Sequence, residues 1–231
     1  YSDYVYWNSN TSAWAVGNNE VHIGTNAGQT GQGTNAVAVG WEAGINNQGD
    51  FSIAIGRLAG GNTQRSTAVA IGNLAGQNSQ GTGSVSIGNQ SGYNNQGEYS
   101  IAVGVDAGEF TQGQSSVALG ANAGQYYQGD YSVAVGAYAG HTGQELYAIA
   151  LGYQAGQSNQ GSNAIAIGYK AGETGSVTNS IILNASGSSL TPGASGFYVD
   201  PINNLTTLSY TGITGTLLYD TGTKSIVYNT A

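Results

Sequence analysis

Cysteine and methionine are absent from this 231-residue chain, and proline occurs only twice. Without cysteine there is no disulfide and no thiolate metal site. Charge is scarce as well: 7% of residues, four Lys+Arg against twelve Asp+Glu, for a net charge of −8. So few cations on an acidic chain leave no electrostatic footprint for a polyanion, and nucleic acid is not an expected partner. No apolar run approaches the roughly 18 residues of a membrane-spanning helix, so membrane insertion is not expected. The chain opens at Tyr1 with no methionine and no signal-peptide pattern, as expected of a processed product or a fragment.

Glycine, by contrast, is abundant at 39 residues, and its spacing organises the chain. Glycines recur every 16 residues from Gly24 to Gly168, and a second series follows four residues later, from Gly28 to Gly172. This is not the every-third spacing of collagen. A fixed period of this length is the signature of one small unit stacked on itself, a solenoid. Sixteen residues are too few for a helix plus a strand, but two short strands and two turns fit. The fold class expected is therefore all-β, a parallel β-roll or β-solenoid of ten 16-residue coils. At about 4.8 Å per coil the rod is roughly 50 Å long.

The columns of the repeat carry distinct chemistry. Before each first glycine stands a triplet such as Val37-Ala38-Val39, Ile101-Ala102-Val103 or Ile149-Ala150-Leu151, β-branched and alternating with period two. The glycine ends this strand at a corner needing positive φ or close backbone approach. Alanine precedes nearly every second glycine, and glutamine stands eight residues after the first glycine from Gln32 to Gln160. Stacked at the coil spacing, these amides can hydrogen-bond along the rod. Arg65 and Glu145 replace the glycine that usually follows the glutamine, so that position faces solvent. The large aliphatics are expected to fill the coil, with the alanine face turned outward. A strand apolar on both faces needs cover on both, so the alanine face calls for sister chains: a parallel homotrimer with cyclic symmetry. The alternative is a monomer with an exposed alanine face.

The segments Ser132-Val-Ala-Val-Gly136, Asn163-Ala-Ile-Ala-Ile-Gly168 and Tyr99-Ser-Ile-Ala-Val-Gly104 resemble the head repeat of trimeric autotransporter adhesins. That family implies a left-handed parallel β-roll assembled as a homotrimer. Its usual repeat is a couple of residues shorter, and the longer turn here carries segments such as Asn47-Gln48-Gly49. The C-terminal stretches Gly196–Asn203 and Leu217–Ala231 resemble viral and phage fibre proteins, in which such a segment precedes an endosialidase-type intramolecular chaperone that trimerises the fibre and cleaves itself off. The Tyr6–Trp14 opening resembles a fibre-type hairpin. These resemblances imply an extracellular fibre segment on a virion surface that mediates or spaces host attachment. The alternatives are the head of a bacterial trimeric surface adhesin and a polysaccharide depolymerase. The expected domains are an aromatic cap at 1–20, the β-roll at 21–184, a Ser/Gly-rich linker at 185–196 and a small C-terminal β-stem at 197–231, with a hairpin turn at 220–223.

No residues present a catalytic, cofactor or metal pattern, and none is assigned. Asp50, Glu98 and Asp130 share a column, but lie about 14 and 10 Å apart along the axis. A retaining glycosidase needs about 5 Å and an inverting one up to about 9.5 Å. His22 and His141 have no metal-ligand spacing. Aromatics remain as the functional hint. Tyr126, Tyr127, Tyr131, Tyr138, Tyr147, Tyr153 and Tyr169 form a candidate contact zone for a host-surface glycan or protein receptor. The competing reading is that these rings stack on one another and stiffen the outer wall.

Overall fold

The structure, a computed structural model, describes residues 4–8, 11–17, 19–202, 216–220 and 225–229. It is all-β, with no helix among the described residues, and a parallel β-solenoid with 16-residue coils makes up most of it. Two units divide the chain, Tyr1–Asp200 and Pro201–Ala231. In the second, Thr216–Asp220 pairs antiparallel with Ser225–Asn229. The turn expected at 220–223 lies, after Asp220, outside the described residues.

Each coil adds one three-residue strand to each of two parallel sheets. The Val/Ile sheet has twelve strands, from Val21–Ile23 to Phe197–Asp200, so its ladder runs on past residue 184. The glutamine sheet has eight, from Thr30–Gln32 to Thr142–Gln144. Register follows the sequence period: Val85 pairs with Val69 and Ile101, and Gln80 with Gln64 and Gln96. Identical residues therefore stack into columns.

The corners depend on backbone that L-residues rarely adopt. Gly104 has φ +135°, and a Cβ there would lie 2.6 Å from the Gly120 carbonyl oxygen of the next coil. Both reasons expected for this glycine, positive φ and close approach, hold together. In most coils three further positions are left-handed without being glycine, for example Glu42, Asn47 and Phe51 at φ +56°, +53° and +57°. Left-handed conformation costs an L-residue roughly 1–2 kcal/mol. Stacking offsets this, because the corner amides bond to the preceding coil: Glu42 N–H to Thr25 O and Phe51 N–H to Thr34 O, each 2.9 Å.

The interior corrects the expected orientation. From the second coil on, the middle residue of the Val/Ile triplet is the buried one: Ala38, Ala102, Ala118, Ala134 and their equivalents up to Ile182 are 0% exposed. Its flanking aliphatics, on the opposite face of the strand, point out of the coil, with Ile55 38% and Leu119 44% exposed. The second alanine column, Ala43 to Ala171, completes the apolar lining. Glutamine fills the rest. Gln112 Nε2 crosses the coil to the Ile101 carbonyl at 2.8 Å, and the same bond recurs from Gln48 to Gln160. Along the rod, Gln64, Gln128 and Gln144 donate to the Oε1 of the next glutamine at 3.0–3.1 Å. The second glycine is coupled to this bridge: a Cβ on Gly108 would lie 2.7 Å from Gln112 Oε1. An interior spanned by one glutamine has room for alanine and serine but not for valine or isoleucine.

Larger side chains occupy both ends of the inner column. At the first coil His22 takes the alanine position, and the Tyr4 hydroxyl accepts from His22 N–H at 3.2 Å and donates to Glu20 O at 2.6 Å. At the far end Ile182 and then Tyr198 follow the alanines, and Leu190 packs against the same cluster. Trp14 is exposed, and the side chains of Tyr6 and Trp7 lie outside the described residues.

Candidate interaction surfaces

The outward aliphatics form one continuous apolar stripe. Two project from each of the first eleven strands of the Val/Ile sheet, in columns such as Val117/Leu119, Val133/Val135 and Ile149/Leu151, and the twelfth presents Phe197 and Val199. Single exposed aliphatics are ordinary, but a contiguous apolar surface of this kind marks an interaction site. The columns that vary between coils sit at the left-handed corners, where side chains reach solvent.

Between Tyr93 and Tyr169 the ring contacts form two groups. One is continuous: Tyr93 meets Phe110 edge-on, Phe110 stacks on Tyr126 at 5.3 Å, and Tyr126 meets His141 edge-on at 5.5 Å. From His141 the chain of rings passes to Tyr138 at 5.5 Å, Tyr153 at 6.4 Å and Tyr169 at 5.7 Å. The other is a pair, Tyr131 stacked on Tyr147 at 5.5 Å. Tyr127, on a left-handed corner, is the most exposed of the candidate tyrosines at 66%. The structure thus joins Tyr126, Tyr138, Tyr153 and Tyr169, and sets Tyr131 with Tyr147 apart. Stacking along the columns, the competing sequence reading, occurs in both groups. Tyr93, Phe110 and His141 belong to the belt without having been singled out as contacts; Phe110 stands one 16-residue period before Tyr126, which was the available signal, whereas Tyr93 and His141 lie in the adjacent column and carried none. Burial among these rings holds the His141 imidazole below its ordinary pKa.

The acids of the shared column hold turns. Asp50 Oδ1 accepts from Thr34 N–H and Asp130 Oδ1 from Gln114 N–H, each at 2.8 Å one coil away. Glu98 pairs with Arg65 at 3.1 Å on the surface. A different pair is tucked in. Glu109 is buried and accepts from Gln125 Nε2 at 2.5 Å and Gln90 Nε2 at 3.3 Å. Burial pushes the carboxyl groups of Glu109 and Asp106 upward, and Asp106 adds to the effect at Glu109. Among the described residues no group of three or more His, Cys, Asp or Glu is placed to hold a metal ion.

Comparison of the chain with protein-family models, with curated proteins and with solved structures found no match.

Proposed function

We propose that this chain is a structural and adhesive segment of an extracellular fibre, of the virion-surface kind that spaces or mediates attachment to a host, and that three parallel copies form it. The outward Val/Ile stripe carries the reading. The structure reverses the faces of the strand but keeps the need for cover, and strengthens it, because the uncovered side chains are the large ones. Completing the burial of one half-exposed aliphatic is worth about 1 kcal/mol. Over two residues on each of twelve strands the sum exceeds the roughly 4–15 kcal/mol that association costs. Cyclic closure buries such a stripe around an axis without leaving an open end to polymerise.

Recognition on this reading belongs to the variable corner residues, with the tyrosine belt as the contact for a glycan or protein on the host surface. The head of a bacterial surface adhesin would use the same assembly. Depolymerase activity is not favoured, since Asp50, Glu98 and Asp130 are each engaged by a neighbouring turn or by Arg65. Light scattering of the intact chain tests the proposal. The expected mass is three times the 23.4 kDa of one chain, together with binding to host cells or a glycan array that weakens in a Tyr126→Ala/Tyr138→Ala variant. A single-chain mass at micromolar concentration would overturn it.

A further inference from the structure

A hollow of about 280 Å³ lies beside the glutamine sheet. Thr63, Ser79 and Asn95 line it in one column, a coil apart, and Arg65 and Glu98 complete it over Gly81 and Gly97. None of its lining residues is aliphatic or aromatic. The polar groups around it are spent on the fold. Asn62 donates to Asn78 and Asn78 to Asn94, at 3.0 and 2.9 Å, and the Ser84 and Ser100 hydroxyls donate to the Gly81 and Gly97 carbonyls at 2.7 Å. Thr63, Ser79 and Asn95 stand one residue beyond the asparagine ladder, on exposed left-handed corners at φ +59°, +59° and +54°. Their side chains make no hydrogen bond among the described residues.

Arg65 breaks the rule of its own column, which is glycine at Gly49, Gly81 and Gly97. A Cβ on Gly81 would lie 2.6 Å from the Glu98 nitrogen of the next coil. The Arg65 N–H accordingly reaches Gln80 O at 3.1 Å, where the Gly81 and Gly97 amides make 2.9 and 2.8 Å bonds. Positions that break a local rule are where function is expected. The guanidinium crosses two coils to Glu98 for a single 3.1 Å contact, with the two side chains 60% and 43% exposed. An ion pair so exposed adds little to folding. Nor does the turn need Glu98 as it needs Asp50 and Asp130, which accept from the preceding coil. The other guanidinium donors and the second Glu98 oxygen have no partner among the described residues.

We infer that this hollow is a binding site for a neutral saccharide. A sugar hydroxyl both donates and accepts, as a hydroxyl does in any setting, and Arg65 and Glu98 offer donors and acceptors side by side. Their charges cancel, and a chain of net charge −8 disfavours an anionic ligand. Without apolar lining there is no seat for a lipid or an aromatic ligand. A peptide strand finds no free edge, because the Gly81 and Gly97 amides already bond to Gln96 and Gln112. The volume falls at the low end of ligand pockets, about 300 Å³, which suits one or two sugar rings. The site adds to the adhesive reading a contact with its own ligand class; none of the belt tyrosines lines it.

Saturation-transfer NMR of the intact chain tests this with glucose, galactose, mannose, N-acetylglucosamine and lactose, beside N-acetylneuraminic acid as the charged control. Transfer to at least one neutral sugar, and none to the acid, is the expected result. Arg65→Gly restores the residue of its column, so it is expected to fold, and to weaken binding at least about tenfold by removing charged hydrogen bonds. Ser79→Tyr, a residue the same column carries at Tyr127, is expected to fill the hollow and abolish the signal. Circular dichroism and the unfolding midpoint of each variant check the fold. The Tyr126→Ala/Tyr138→Ala variant is expected to keep the sugar signal. No transfer to any neutral sugar, transfer to the acid alone, or transfer undiminished in both Arg65→Gly and Ser79→Tyr would overturn the site. Host-cell binding without a sugar signal would remove the site and leave the adhesive reading standing; the expected sugar signals without cell binding would do the reverse.

Discussion

The two faces of one strand differ more than any two coils do. Along Val117–Leu119, Ala118 points into a space bridged by Gln112 and Gln128, while Val117 and Leu119 point away from it. The inner face is small, amide-lined and hydrogen-bonded across the coil through the glutamine Nε2 groups; the outer face is large, aliphatic and half-exposed. In an ordinary globular domain the large aliphatics would be inside. The inversion shows that a single coil is held by its backbone ladder and glutamine bridges, and that its larger hydrophobic side chains lie outside the coil.

The comparison breaks most sharply if the inner face is enlarged. Ala118→Leu is expected to destabilise the solenoid by about 3 kcal/mol through overpacking, read as a lower unfolding midpoint. Gln128→Leu comes next. It removes the 2.8 Å bond to the Val117 carbonyl and the 3.1 Å bond to Gln144, and leaves buried acceptors unpaired at a cost of about 2 kcal/mol. On the outer face, Leu119→Ala is expected to change the folding of one chain by less than about 1 kcal/mol, but to raise the concentration at which the assembly dissociates. A large loss of folding stability from Leu119→Ala, with little from Ala118→Leu, would reverse the assignment of the faces.

The smallest expected effect is at Glu109, in the column that also carries Tyr93 and His141. Burial raises the folded-state pKa of Glu109, so its protonated form is favoured by folding. Its contribution is present below the ordinary carboxylate range and is lost as pH rises through the raised folded value. Glu109→Gln is expected to flatten this dependence, narrowing the difference between unfolding midpoints at pH 4 and pH 7. An unchanged pH profile would show that burial does not raise the Glu109 carboxyl in the folded chain.

Much of the fold was legible in the residues. The 16-residue glycine spacing gave the solenoid, the Val/Ile triplets gave one sheet, and Gly104 and its equivalents marked corners that need both positive φ and close approach. Which face points inward was not legible from alternation, because period two defines two faces and labels neither. The size of the interior decides that, and the interior is set by a partner column. The glutamine at Gln112, the glycine at Gly108 that makes room for it and the small residues at Ala102 and Ala107 together describe a space too narrow for isoleucine. The tyrosines were legible as exposed, but not in their grouping: Tyr131 and Tyr126 are five residues apart and belong to different ring clusters, because a corner separates them.

The measurement that bears most directly on the inverted strand is the solution mass of the intact chain beside a Val133→Ser/Val135→Ser variant. The account predicts a trimer for the unsubstituted protein. For the variant it predicts a chain that keeps its β-sheet circular dichroism but sediments as a smaller species. A monomer in the first case, or an undiminished trimer in the second, would contradict the claim that the outward stripe is built to be covered by its own copies.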